Sequence, residues 1–272
     1  MTPLLIWLAL AVVFAGVVAG TAYWFGLLNR SGALAAFLLG FLVFGFGGIS
    51  WTVVLLTFFL SSSLLSKAFG GKKGKLDEKY AKGSTRDAGQ VIANGGVAGL
   101  MVILHVLFPD SHLPWVGYCA AFAAANADTW ATELGVLSKS SPRLVSTWQP
   151  VPMGTSGGVT VIGSLSAVAG ALLITIISLF FPGTRYLNWL PFSLVVLAAG
   201  ALGSLVDSWL GATLQAIYWC QSCGKETEQN PLHRCGSTTT RVRGVPWMNN
   251  DWVNVLCTLS ASAVGILLVI LF

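Results

Sequence analysis

This chain is divided into apolar stretches long enough to cross a lipid bilayer, and nothing else about it constrains the fold as strongly. A spanning helix needs about 20 predominantly apolar residues. Eight such segments can be read, at roughly 3–20, 33–48, 50–66, 90–108, 115–137, 158–181, 190–218 and 252–272. Charged residues make up only 9% of the chain, against about 25% in soluble domains, and the mean hydropathy is +0.76. Backbone amides in hydrocarbon must be paired within their own segment. The alternating pattern of a membrane barrel is absent. The expected fold class is therefore an all-α integral membrane protein of about eight transmembrane helices, forming one domain over residues 1–272. The second and third segments are short and close together, so a re-entrant pair is the alternative there. The first segment has no basic n-region and no convincing cleavage site, and is read as a membrane helix.

Basic residues orient the bundle. With eight spans, the loops at about 21–32, 67–89, 138–157 and 219–251 share one side. They hold 14 of the 15 Lys and Arg residues, with Arg185 the exception. Under the positive-inside rule that side is cytoplasmic and both termini face out. The net charge of +5 then needs no nucleic acid partner to explain it, and part of it is available to an anionic substrate or to the anionic headgroups of the lipid bilayer. Two cytoplasmic loops stand out: a basic one at 67–89 and a Cys/His-bearing one at 219–250.

Against this apolar background, carboxylates and amides recur in three places: Asn126-Ala-Asp128-Thr129-Trp130-Ala-Thr132-Glu133, Asp207-Ser208-Trp209 and Asn249-Asn250-Asp251-Trp252. A charge at the centre of a membrane helix costs about 2.5 kcal/mol or more, so such residues mark a functional site by default. All of them fall toward the basic side, as does the polar stretch from Lys82 to Asn94. A transporter places its polar groups near the midplane; the one-sided distribution favours an enzyme with a cytosolic cosubstrate. Helical spacing puts Asp87, Gln90 and Asn94 on one stripe, Asn126 with Glu133 on one face, and Asp128 with Thr132 on another. Gly203, Asp207, Gly211 and Gln215 form an i+4 row on span seven, with glycines leaving room for a ligand or for another helix. Interhelical hydrogen bonding is the plainer reading of such residues, and for Gln90 and Gln215 the two readings balance.

Asp128-Thr-Trp and Asp207-Ser-Trp align as a short internal repeat, although convergence explains the match nearly as well. Two carboxylates beside phosphate oxygens make the usual Mg²⁺ site of phosphoryl transfer. Anion-binding features accompany them. Lys82, Ser84, Thr85 and Arg86 precede a helix beginning near Asp87, and Gly154, Thr155, Ser156 and Gly157 precede span six. Helix N-termini behind small residues bind phosphate. Neither run ends as a Walker motif does, and helix capping explains either one alone. One of Asn249, Asn250 and Asp251 is needed as a cap; Asn250 or Asp251 is expected to face metal or nucleotide.

The sharpest local signal is Cys220-x2-Cys223-x9-His233-x-Cys235. Four such ligands suit a closed, structural Zn²⁺ site set apart from the carboxylates, and a disulfide is disfavoured in a reducing compartment. Cys119 and Cys257 read as packing residues, and the run Lys72-Lys73-Gly74-Lys75 as an orientation or lipid-phosphate signal. His105 and His112 carry no assignment.

In order along the chain, Lys82-Gly-Ser-Thr-Arg-Asp87, Ala125-Asn-Ala-Asp-Thr-Trp-Ala-Thr-Glu-Leu-Gly135, Gly154-Thr-Ser-Gly-Gly158, Gly203-Ser-Leu-Val-Asp-Ser208 and Asn249-Asn-Asp251 resemble a known set. They are similar to the motifs of the polytopic membrane family that includes plant and cyanobacterial phytyl-phosphate kinase. The resemblance covers nearly the whole chain, residues 1–60 excepted, and the Cys/His insert resembles prokaryotic members. It implies a prokaryotic cytoplasmic membrane and phosphorylation of a prenyl monophosphate, such as phytyl or geranylgeranyl phosphate, by CTP or another nucleoside triphosphate with Mg²⁺. On that reading Asp128, Glu133, Asp207, Lys82 and Arg86 are catalytic, and Asp128, Asp207 and Asp251 hold Mg²⁺. Ser84, Thr85, Asp87, Asn94, Asn126, Gly154, Thr155, Ser156, Gly157, Asn249 and Asn250 would contact the nucleotide. The competing readings are an ion-coupled transporter with paired Asp half-sites, cytidylyl transfer to a lipid phosphate, and a non-catalytic lipid-binding scaffold.

Overall fold

The computed structural model describes residues 3–73, 83, 85–181 and 188–271. Lys82, Ser84, Lys75 and Arg185 lie outside the described residues. Among those described, eight α-helices form the molecule: α1 (Pro3–Trp24), α2 (Arg30–Leu42), α3 (Ile49–Lys73), α4 (Ala88–Leu107), α5 (Leu113–Gly135), α6 (Val161–Leu179), α7 (Trp189–Thr213) and α8 (Asn250–Leu271). A short antiparallel pair, β1 (Arg143–Leu144) with β2 (Gly158–Val159), precedes α6. Between α7 and α8, strands β3 (Ile217–Cys220), β4 (Lys225–Thr227) and β5 (Thr239–Arg243) make an antiparallel sheet in the order β4-β3-β5.

Seven of the helices are long and apolar enough to cross a membrane, by length and composition. They include both short segments of the N-terminal half. A π-helical turn at Val43–Gly47 extends α2 to an 18-residue candidate span, and α3 contributes one of 21 residues, from Ile49 to Phe69.

The eighth helix, α5, has the length and lacks the apolarity, and it is the most enclosed of all. Sixteen of its 23 residues are buried, and α3, α4, α6, α7 and α8 all pack on it. Its sequence explains this. The run from Ala120 to Ala127 presents almost no bulk, and Gly170 of α6, Gly200 and Gly203 of α7 and Gly265 of α8 face the helix with barely room for a Cβ. Lipid offers no hydrophobic drive between helices, so close van der Waals approach of small residues does the joining. Toward its N-terminal end α5 fills the core with aromatics: Trp115 and Tyr118 pack with Trp51 of α3 and Phe122 packs on Tyr118, and the Tyr118 hydroxyl donates to the Trp51 carbonyl at 2.5 Å. The outer faces of the other helices present exposed Leu5, Val13, Val17, Leu165, Leu194 and Leu267, an apolar coat suited to lipid.

Several boundaries differ from the sequence reading. Span seven ends at Thr213, not near 218, because Ile217-Tyr-Trp-Cys220 pairs as strand β3. Gln215 therefore lies past the helix, its amide donating to the Leu210 carbonyl at 2.9 Å. Span six starts at Val161, with the Thr160 hydroxyl accepting from the Gly163 amide. Asp87 forms a reciprocal capping box with Gln90 on α4, and the Asn249 side chain accepts from the Trp252 amide at 3.1 Å. The segment between α7 and α8 folds back onto the bundle. Arg243 donates to the Gly211 and Ala212 carbonyls, at 2.8 and 2.9 Å, and to the Ser156 carbonyl at 3.3 Å. A guanidinium there satisfies carbonyls that the last turn of α7 leaves orphaned.

Candidate functional site

Where α5, α6 and α7 end against the loop before α6, they enclose a cavity of about 260 Å³. Asp128 of α5 and Asp207 of α7 both line it, and their carboxyl groups are in hydrogen-bonding contact. The Asp207 Oδ2 atom is buried and has no hydrogen-bond partner among the described residues. Glu228 from the insert and Asn250 from the start of α8 complete the polar wall. The run Gly154–Gly158 with Thr160, Gly163 and Ser164 lines the same cavity, which brings the positive end of α6 to it. Val168 and Leu205 form a third wall. They are 46% and 50% exposed.

The loop is held by its smallest residues. Gly157 has φ of +81°, and a Cβ on it would collide with the Ala212 backbone of α7. Beside it, the Ser156 hydroxyl donates to Gln215 Oε1 at 2.5 Å, and Gln215 Nε2 donates to Glu228 Oε1 at 2.9 Å. Gln215, buried and just off the end of α7, thus joins the loop to the insert. The glycine row beside Asp207 is filled by protein: Gly203 meets Ala124 and Ala261, and Gly211 meets Ser156 and Gly157. Neither leaves room for a ligand.

Two carboxylates in contact, one with a buried oxygen lacking a partner, are an unfavourable arrangement without a cation or a shared proton. Asp128, Asp207, Glu228 and the Asn250 amide offer this cavity hard oxygens. This set fits Mg²⁺, which takes one or two carboxylates and completes its shell with water and phosphate.

Other expected site residues lie elsewhere. Glu133 does not line this cavity; Ser66 of α3 donates to it at 2.8 Å. Arg86 sits on the same α3 side, donating to the Ser62 and Ser63 hydroxyls at 2.9 and 3.4 Å between the Phe58 and Phe59 rings. Desolvation pushes its guanidinium down to about 10, opposed by the charge of Glu133, so it stays cationic at neutral pH. Arg86, Gln90 and Asn94 line a separate, apolar cavity of about 70 Å³ among α1 to α4. Asn94 donates to the Gln90 carbonyl and Thr85 to the Gly26 carbonyl. Asn126 is wholly buried, accepting from Ser61 and donating to the Gly170 carbonyl, both at 2.8 Å. Asp87 and Asn249 are spent on caps, and Asp251 is absent from the cavity lining, where its neighbour Asn250 is found. The two aspartates of the short repeat meet, but their tryptophans diverge: Trp130 packs on Gly170, whereas Trp209 is exposed.

Sequence reasoning missed Glu228, Ser164 and Arg243. Glu228 looks like any acidic residue of a solvated loop, and only the folding-back of the insert brings it to Asp207. The insert also gathers Cys220, Cys223, His233 and Cys235, whose ligand atoms all lie within 4.8 Å of one another. Hydrogen bonds from Ser237 first, then His233, hold the Cys235 thiol down to about 5, while hydrogen bonding to Cys235 pushes Cys223 up to about 11. The insert is not remote from the carboxylates: Gln215, Glu228, His233 and Asn250 share the wall of one further cavity.

A mostly helical bundle with seven candidate spans and a carboxylate cavity at its helix ends defines a polytopic integral membrane protein with an acidic site at the edge of the bundle. Residues 13–262 match the family model described as Integral membrane protein DUF92, and the chain belongs to that family. It is the family that the ordered motifs resemble. The chain is 33% identical to Protein PGR of Arabidopsis thaliana over 94% of its length and 93% of that protein's. It is 30% identical to Uncharacterized membrane protein MJ0933 of Methanocaldococcus jannaschii, over 89% and 85%. It is also 25% identical to Protein VTE6, chloroplastic, of Arabidopsis thaliana, over 89% of this chain and 65% of that protein. No solved structure matches.

Proposed function

We propose that the protein is a membrane prenyl-phosphate kinase, transferring the γ-phosphate of CTP or another nucleoside triphosphate to a prenyl monophosphate. One observation carries the reading. Contacting carboxylates, one with a buried oxygen that has no partner among the described residues, line one cavity together with the first turn of α6 and the apolar Val168 and Leu205. Family membership supports the substrate class.

Asp128 and Asp207, with Glu228 and Asn250 beside them, would hold Mg²⁺. When bound, that ion would neutralise charge on the triphosphate oxygens. The Gly154–Gly158 run and the first turn of α6 would bind triphosphate oxygens through their dipoles and small side chains. Val168, Ala201 and Leu205 would take the prenyl chain, leaving its phosphate at the carboxylate end. An oxygen of that phosphate, already ionised, attacks the γ-phosphorus; the bond from it to the β-phosphate bridging oxygen breaks, and the nucleoside diphosphate leaves. No strong general base is required, so positioning and electrostatics carry the rate. The site is expected on the cytoplasmic side of a prokaryotic inner membrane.

Mass-spectrometric product analysis tests this with purified protein, Mg²⁺, CTP or ATP, and phytyl, geranylgeranyl and farnesyl monophosphates. A prenyl diphosphate with CDP or ADP is expected. CDP-lipid with pyrophosphate would replace the kinase by cytidylyl transfer, and no product from any pair would sink both.

A further inference from the structure

We propose that Cys220, Cys223, His233 and Cys235 hold a structural zinc ion, and that this ion fixes the insert as a strap clamping the 154–158 loop to the end of α7.

The geometry of the four ligands is that of a metal site. Zn–S bonds of about 2.3 Å and Zn–N bonds of about 2.0 Å in a tetrahedron place thiolates about 3.8 Å apart, and a thiolate about 3.5 Å from an imidazole nitrogen. In the protein, Cys220 Sγ lies 3.5 Å from Cys235 Sγ. His233 Nδ1 lies 3.5 Å from Cys223 Sγ and 3.2 Å from Cys235 Sγ. A disulfide would need about 2.0 Å, and all the cysteines are free. Two similar turns supply the ligands. In each, the residue after the last cysteine is a glycine with positive φ, Gly224 and Gly236, and its amide bonds back to the carbonyl of the first ligand, Cys220 or His233. The Ser222 and Ser237 hydroxyls join the turns at 2.6 Å. Cys220 and His233 are buried, whereas Cys223 and Cys235 are at the surface.

Such a small segment has little core of its own. A three-stranded sheet of short strands is marginal without a staple, and a tetrahedral metal site supplies one. What the staple fixes is read from the contacts leaving the sheet. Cys220 closes β3, whose chain runs back directly to Gln215, and Gln215 holds Ser156 on one side and Glu228 on the other. Arg243 closes β5 and holds the Ser156 carbonyl together with the last carbonyls of α7. The loop facing the carboxylates is therefore seated by two residues that flank the sheet.

Metal analysis and hydrogen exchange test both halves on the full chain in detergent, and neither reads turnover. Elemental analysis is expected to find one zinc per chain in the wild type and in Asp128→Asn, and none in Cys220→Ser/Cys223→Ser. Wild-type protein that takes up no zinc when offered the metal under reducing conditions would overturn the site. Stripping zinc from the wild type with a chelator is expected to raise amide exchange about tenfold or more at 154–158 and 211–216, while the aromatic core of α5 stays protected. Gln215→Ala should raise exchange at 154–158 with its zinc retained. Unchanged exchange in the stripped wild type would overturn the strap.

Discussion

The Asp207 Oδ2 atom is buried without a hydrogen-bond partner among the described residues, a cost that persists only where a cation or a shared proton offsets it. Asp128→Asn and Asp207→Asn are thus expected to lower turnover by at least about a hundredfold, the scale of losing one preorganised electrostatic contact. Each variant should still insert and purify; prenyl diphosphate formation at wild-type rates in both would refute the site. Asn126, two residues away on α5, is expected to behave oppositely. Its side chain links α3 to α6 through Ser61 and the Gly170 carbonyl, at about 0.6 kcal/mol per interhelical bond. Asn126→Ala should cost about 1 kcal/mol of stability, seen as a lowered Tm in detergent, with kcat kept within a fewfold. Glu133→Gln provides a further division. Glu133 answers to Ser66 and Arg86, not to the carboxylate pair, so its loss should leave Mn²⁺ binding measured by electron paramagnetic resonance unchanged, whereas Asp207→Asn should weaken it.

At the level of elements, the loop before α6 and the end of α7 act as one unit. Gly157→Ala forces a Cβ into the Ala212 backbone at a left-handed φ, a strain of about 1–2 kcal/mol from conformation alone. The expected result is a raised KM for nucleotide with zinc content unaltered; an unchanged KM would show that the loop does not seat the triphosphate. These elements also show which parts of the site could be read from the chain. The spans, the small-residue loop and the pairing of Asp128 with Thr132 follow from periodicities within single segments. The end of α7 is not legible in the chain because Ile217-Tyr-Trp-Cys220 is as apolar as a helix, and only pairing with β4 and β5 makes it a strand. Glu228 was invisible for a related reason: its role depends on where a sheet lands, and no local spacing encodes that. Asp87 and Asn249 satisfy amides at helix starts, as a carboxylate or amide there does before it meets any ligand, and Asn249 also lines the further cavity with Glu228 and Asn250.

Over the whole molecule, the helices divide into a lipid-facing coat and an enclosed centre. The expected topology of eight crossings puts both termini on the side opposite the basic loops. With the basic loops in the cytoplasm, a phosphatase reporter on the C-terminus should be active and a fluorescent-protein fusion there dark; the reverse pattern would invert the orientation. The central helix carries a consequence for how the protein is made. α5 is the one helix that fails on apolarity, with Asn126, Asp128 and Glu133 within a few turns of its end. An acidic group opposes partition from the translocon, by about 2.5 kcal/mol or more at a helix centre, and Asp128 adds that opposition to a helix already low in apolarity. A nascent chain ending at Gly135 therefore has little reason to leave its channel sideways, whereas one that has also emitted α6, α7 and α8 offers glycine-faced partners for the alanine run. Biogenesis of this protein is accordingly expected to be non-sequential, with its most buried helix committed to the bilayer last.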